Sequence, residues 1–364
     1  MRTGLIVLLL LSPLPAAAAQ YDPPDPLPVL NLDADGLSIS GISSGAFMAH
    51  QFHLAHSAAV AGVGMIAGGP YACAKGRYFG SRFDVTGLYV ATSICSDTNP
   101  MWFFQGPPDP AQSVDQANSA AAAGRIDDLA NLAGDRVWLL SGRADRTVPT
   151  AVMDTVDTVY RNLSNSADIT YEIIDDAQHA MITDDFGNPC PTSRSPFIND
   201  CDVDAVGAML AHIYGPLAPK TAEADLGPVL AFDQRPYVDQ TPESISLADI
   251  GYLYVPASCQ TGESCRLHIA LHGCQQYAGA IGDAFVRGAG YNEWAESNRI
   301  VVLYPQTTAL TGGWFSFGVN PNGCWDWWGY TGPDFASRDA PQIRALARMA
   351  DAISGENRLT PPAD

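Results

Sequence analysis

The chain has 364 residues, with 39 acidic side chains against 19 basic ones, and its isoelectric point lies near 4.4. A formal net charge of −20 excludes nucleic acid and anionic membranes as partners, because both are repelled by an acidic surface. A hydrophobic content of 47% over this length can bury a large core, in one large domain or two.

The N-terminal stretch MRTGLIVLLLLSPLPAAAAQ combines the basic Arg2, an apolar run from Leu5 to Leu11 and a small-residue segment. This is the pattern of a secretory signal peptide, residues 1–19, cut near Ala18 or Ala19. The apolar run is too short to span a bilayer, and no later apolar run is long enough to span either, so no membrane anchor is expected. Residues 20–36 are rich in Pro and Asp and read as extended. "LSIS" (37–40) reads as a strand, "GAFMAHQFHLAHS" (45–57) as a helix and "AAVAGVGMIAGG" (58–69) as a second buried strand. A helix is predicted at 115–133, a strand at "DRVWLLSG" (135–142), a helix at 150–163 and a strand at "ITYEIID" (169–175). The helix "DAVGAMLAHIYG" (204–215) closes the first half. A polar connector, 215–228, leads to strands at "GYLYVP", "RLHIALHG" and "RIVVLYPQ", with a helix at 289–298, and the chain ends on a helix at 340–354. Strands alternating with helices indicate an α/β fold with a mostly parallel central sheet flanked by helices. There is no internal repeat and no Ser- or Thr-rich spacer, so residues 20–364 read as a single catalytic domain without a separate substrate-binding domain.

Eight cysteines follow the leader: Cys73, Cys95, Cys190, Cys201, Cys259, Cys265, Cys274 and Cys324. An even number in an exported chain implies a disulfide-stabilised fold. No Cys-x2-Cys pair occurs, and no histidine stands at finger spacing, so no metal is expected. Sequential pairing is the simplest arrangement for the first six, and spacing alone leaves connectivity open.

The chemistry starts at Gly41-Ile-Ser43-Ser-Gly45, a Gly-x-Ser-x-Gly pattern between a strand and a helix. On such a turn the serine hydroxyl stands exposed above the sheet, and the next residue, Ser44, aims its backbone N–H at an oxyanion. A serine nucleophile needs a base and an orienting acid, each on a loop after a strand. Asp145 follows the strand at 135–142, and His179 follows the one at 169–175. Asp175 and Asp176 are rival acids but lie too near His179 in sequence. His50, His53 and His56 fall on the helix after the serine and read as helix residues; His212 and His268 read as structural. The "HG" that follows the strand supplying the second oxyanion donor in α/β-hydrolases stands at "IALHGCQQ" (269–276), far after the serine instead of before it. The chain therefore reads as a circularly permuted α/β-hydrolase, with the old termini joined near 215–250 and new ones opened before the nucleophile strand.

Six segments, "SISGISSGAFMAHQ", "AGGPYACA", "SGRADRTV", "LHIALHGCQQ", "GYNEWAESNRIVVLYPQ" and "NPNGCWDWWGY", together resemble the secreted poly(3-hydroxybutyrate) depolymerases with a circularly permuted catalytic domain. The resemblance runs in order across almost the whole mature chain. It implies Ser43 as nucleophile, Asp145 as orienter and His179 as base. It implies the N–H groups of Ser44 and Cys274 as the oxyanion hole, and a Cys274–Cys324 disulfide. It places Trp325 or Trp327 in the substrate crevice, with a polyester polymer or oligomer as substrate and no cofactor. A monomer, extracellular or periplasmic, is expected. "MWFFQGPP", Met101 to Pro108, departs from the family segments and is a candidate polymer-contacting loop. The alternatives are another secreted carboxylesterase on this scaffold, such as a feruloyl or acetyl-xylan esterase or a hydrolase of other polyesters, and a non-enzymatic binding protein that kept the fold. The complete set of Ser43, Asp145, His179 and "HGC" weighs against the last.

Overall fold

The computed structural model describes residues 24–75, 90–96, 106–310 and 320–360. The expected signal peptide, residues 1–19, and the Met101–Gln105 part of the candidate polymer loop lie outside them. The strands are β1 (Leu32–Ile42), β2 (Val60–Ile66), β3 (Arg136–Gly142), β4 (Asp168–Ile174), β5 (Met181–Thr183), β6 (Asn188–Pro189), β7 (Ile198–Asp200), β8 (Val229–Asp233), β9 (Ile250–Tyr254), β10 (Cys265–Leu271) and β11 (Ile300–Tyr304). The main helices are α1 (Ser44–Ala55), α2 (Pro110–Ala122), α3 (Thr150–Leu163), α4 (Ala205–Tyr214), α5 (Tyr291–Asn298) and α6 (Pro341–Ser354).

Eight strands form one sheet in the order β4-β3-β2-β1-β10-β11-β9-β8. From β4 to β11 every neighbour is parallel; β9 and β8 each run antiparallel to the strand before them. Counted from β8 as the first strand, the order becomes 1-2-4-3-5-6-7-8, the uninterrupted α/β-hydrolase sheet. The permutation leaves a visible seam: the Leu30 N–H, entering β1, donates to the carbonyl of Ile353 at the end of α6, at 2.8 Å. In the unpermuted order that helix would run straight into β1.

The central strands β2 (VAGVGMI), β10 (CRLHIAL) and β11 (IVVLY) are near-continuous apolar runs because helices cover both faces of the sheet. Successive residues turn to opposite faces. Ile39, Val63 and Leu139 join one core cluster with α1 and α6, while Ile66, Leu140 and Ala270 join the other with α4 and α5. One group of polar residues in this core satisfies itself internally. His268 of β10 bridges Ser38 Oγ (2.6 Å) and Ser40 Oγ (2.7 Å) on β1, and those hydroxyls meet Tyr214 and Tyr291. The structural reading of His268 thereby becomes specific: it ties β1 to β10.

Three elements differ from the sequence reading. The helix predicted at 115–133 starts earlier, capped by Asp109 with Pro110 in its first turn, and ends at Ala122; Gly124 (φ +66°) reverses the chain before a short 3₁₀ turn at Leu129–Leu132. Strand β8 follows directly on the connector and was not predicted; it is an edge strand with a single fully buried side chain, Phe232, too little to set up a pattern. The three-stranded sheet β5-β7-β6 follows His179, in strands too short to show a period.

Four disulfides close the fold: Cys73–Cys95, Cys190–Cys201, Cys259–Cys265 and Cys274–Cys324. Among the described residues no helix is long and apolar enough to cross a membrane.

Burial holds four imidazoles neutral. It lowers His50 and His268 to about 3, and His56 and His272 to about 4. In the unfolded chain each titrates near 6.5. Below that value the unfolded state binds protons that the native state refuses, so stability is intact above pH 6.5 and falls as pH drops toward 4. Melting midpoints measured from pH 7.5 to pH 4.5 should fall progressively below about 6.5; a flat profile over that window would contradict neutral burial.

Candidate active site

Strand β1 delivers the chain to Ser43, whose φ of 56° and ψ of −122° place a non-glycine residue in a strained conformation at the N-terminus of α1. The turn tolerates no side chain on either side. A Cβ on Gly41 would stand 2.3 Å from the carbonyl carbon of Gly45, and one on Gly45 would stand 2.5 Å from the carbonyl oxygens of Leu271 and His272. The two glycines thus let α1 close over the turn and let the turn lie against the end of β10.

Asp145 sits on the loop after β3, with 5% of its surface exposed. Its Oδ1 accepts the N–H groups of Thr147 (2.7 Å) and Val148 (2.9 Å), which fix the carboxylate. Its Oδ2 accepts Nδ1–H of His179, on the loop after β4, at 2.7 Å. With Nδ1 engaged, Nε2 is the ring nitrogen available to take a proton. The rival Asp175 is exposed and pairs with Arg143 instead, at 2.7 Å. The small sheet after His179, closed by Cys190–Cys201, anchors the far side of the histidine loop.

Ser43, His179 and Cys274 line one cavity of about 490 Å³. Around Cys274 the neighbouring N–H groups are engaged: Gly273 donates to Gln276 Oε1, Gln275 to Asn322 O, and Gln276 to Gly273 O. Among the described residues the N–H of Cys274 shows no such partner. That of Ser44, in the first turn of α1, has no partner within the helix either. His272 holds the same loop from behind, donating from Nδ1 to Gly273 O while its Nε2 accepts the Thr307 N–H. The Cys274–Cys324 bond joins the loop to the tryptophan-rich segment.

The three indoles of that segment part company. Trp327 lines the cavity, stacked on Phe47 with ring centroids 4.0 Å apart, and Trp328 lines it beside Trp327. Trp325 is fully buried and does not line the cavity. Its ring packs 5.5 Å from that of His272, and its backbone N–H donates to Ser44 Oγ at 3.3 Å. Trp325 therefore stands away from the cavity where a substrate crevice was expected for it, and Trp327 and Trp328 are the indoles that line it.

The helix histidines take no part in the cavity: His53 meets Asp135 and Tyr160, and His50 faces Gly69 O. Sequence reasoning missed Gln276, which is buried and donates through Nε2 to the carbonyls of Pro196 and Phe197. It also missed Asn320, whose Oδ1 accepts the Cys324 N–H. Their roles depend on partners far along the chain, and a lone Gln or Asn carries no local signal. Among the described residues no cluster of three or more His, Cys, Asp or Glu could hold a metal.

No protein-family profile matches the chain. It is 40% identical to the poly(3-hydroxybutyrate) depolymerase of Delftia acidovorans over 342 residues, covering 92% of the chain but 63% of that relative. It therefore spans less than two thirds of that relative's length. It is 35% identical to the polyhydroxybutyrate depolymerase of Talaromyces funiculosus, covering 90% of the chain and 93% of the relative. Among solved structures, a serine-to-alanine variant of a PHB depolymerase complexed with R3HB trimer superposes with a TM-score of 0.79 at 33% identity, over 91% of this chain and 99% of the other. The PHB depolymerase from Penicillium funiculosum superposes with a TM-score of 0.78 at the same identity and coverage.

Proposed function

Because the chain belongs to the poly(3-hydroxybutyrate) depolymerase family, we propose that it is an exported serine esterase that cleaves this polymer or its oligomers through an acyl-enzyme. The carrying observation is the shared cavity of Ser43, His179 and Cys274, with Asp145 hydrogen-bonded behind the histidine.

His179 Nε2 takes the proton as Ser43 Oγ attacks an ester carbonyl. The oxyanion rests on the N–H groups of Ser44 and Cys274, the largest single contribution expected from such a site. The imidazolium returns its proton to the departing alkoxide, and a fragment with a free hydroxyl leaves. Water, deprotonated by His179, then hydrolyses the 3-hydroxyacyl ester and restores Ser43. The lining supports a neutral, apolar substrate: Phe47, Phe197, Trp327 and Trp328 form walls, and no Asp, Glu, Lys or Arg is among the lining residues described. Asp145 stands behind the imidazole, where it stabilises the cation that forms on His179.

On this reading residues 20–364 act as one catalytic domain, with the permutation junction at 215–250, and work as a monomer. The four disulfides support an oxidising compartment. Amorphous and crystalline polymer, and in parallel a feruloylated xylan, test the substrate. Wild type should clear the polymer and release 3-hydroxybutyrate oligomers. Ferulate release with no clearing of either polymer form would sink the assignment.

A further inference from the structure

We infer that Asp326, a residue outside the cavity lining, is the positioning residue that holds Trp327 and Trp328 in the substrate-facing wall. The inference rests on the function proposed above and specifies how the polymer chain is gripped.

Asp326 is a buried carboxylate, 1% exposed, and none of its hydrogen-bond partners is a cation. Its Oδ1 accepts the N–H groups of Trp328 (3.3 Å), Gly329 (2.7 Å) and Tyr330 (3.1 Å). Its Oδ2 accepts the Thr331 N–H (2.9 Å) and the Thr331 hydroxyl (2.5 Å). Five donors from one turn converge on one side chain, and Gly329 (φ +89°) lets the turn close around it. The turn is tied down at its start. The Asp326 N–H donates to Gln342 Oε1 of α6 (2.8 Å), and its carbonyl accepts Gln51 Nε2 of α1 (2.9 Å).

What the turn carries is the aromatic wall. Trp327 stacks on Phe47, and Trp328 stands edge-on to Trp327 at 5.7 Å and 88°, backed by Tyr330 at 4.8 Å. Burial pushes the Asp326 carboxyl up, and the donors from Thr331, Gly329 and Tyr330 oppose that. A buried carboxylate is costly to keep and costly to strip of partners. An asparagine cannot replace it. Its NH₂ would face either the Thr331 donors or the three N–H groups, and the turn would have to open. None of the five donors comes from Ser43, Asp145, His179 or the Cys274 loop, so losing them acts on the wall that holds substrate.

The test compares wild type with Asp326→Asn on the (R)-3-hydroxybutyrate trimer, which reaches the wall, and on p-nitrophenyl acetate, which needs only the triad and the oxyanion hole. KM for the trimer should rise at least about tenfold with kcat within about threefold, and kcat/KM for p-nitrophenyl acetate should stay within about twofold. The far-ultraviolet exciton couplet of the Trp327–Trp328 pair should be lost in the same variant. An unchanged trimer KM with the couplet intact, or a parallel loss on both esters, would overturn the inference. If Asp326→Asn does not fold, Thr331→Val keeps the carboxylate and drops one donor; it should give the same KM-only effect at about twofold to threefold, and no effect there would also overturn it. A wild type that cleaves p-nitrophenyl acetate but leaves the trimer intact would sink the substrate reading instead, while the couplet still decides the placement by Asp326.

Discussion

Replacing Ser43 with alanine is expected to lower kcat on the 3-hydroxybutyrate trimer by about 10⁴–10⁶-fold. The melting midpoint should stay within about 1–2 °C of wild type. The change removes one oxygen from a cavity wall, so no buried group loses its partner. The φ of 56° stays strained for alanine as it is for serine, which keeps the turn's contribution to stability the same. Ser43→Gly should be equally inactive yet more stable, by about 1 kcal/mol, because glycine adopts that conformation freely. Adding Asp145→Asn to Ser43→Ala should cost little further, since the histidine has no hydroxyl left to activate. Retention of more than a tenth of wild-type kcat by purified Ser43→Ala would remove the nucleophile assignment and the mechanism built on it.

The second large effect lies at Cys274–Cys324. Its partners are 50 residues apart, so losing the crosslink should destabilise the fold by about 4 kcal/mol on the chain-entropy account. The melting midpoint would then fall by roughly 5–10 °C. The Cys259–Cys265 pair, 6 residues apart, is the comparison, with about 2 kcal/mol expected. The activities should separate further than the stabilities. Cys274→Ala with Cys324→Ala keeps the backbone N–H at 274 but frees the loop that aims it, and kcat should fall at least about tenfold, part of the 10²–10³-fold associated with an oxyanion donor. Cys259→Ala with Cys265→Ala leaves that loop untouched and should leave kcat unchanged below its melting range. Equal kcat losses in the two double variants would mean that the bond only stabilises the fold.

Much of the site was legible because its chemistry is local. Gly41, Ser43 and Gly45 describe a strand-to-helix turn within five residues, and the close contacts at both glycines are what a sharp turn demands. Asp145 and His179 each follow a strand whose apolar pattern announces it, so their order could be read before their contact was seen. The tryptophans show where such reading stops. "CWDWW" offers three indoles, and nothing local says which two face the cavity. A disulfide drawn under the oxyanion loop and a turn wound around Asp326 make that choice. Gln276, Asn320 and Gln51 act through carbonyls or N–H groups that folding brings to them, and none belongs to a motif.

The sequence by itself determined the fold class, the permuted order and a disulfide-stabilised chain, and it named Ser43, Asp145 and His179 as the candidates for a triad. Each is written in periodicity, in turn chemistry or in residue types that have few other uses. Only the tertiary structure decided that β1 and β10 lie side by side, so that Ser43 and Cys274 line one cavity. It also decided the edge strand β8, which buries too little to carry a pattern, and the choice of Trp327 and Trp328 over Trp325. The physical reason is the same in each case. A hydrogen bond or a packed ring between distant residues constrains both partners in space while leaving no regular mark on either in the chain.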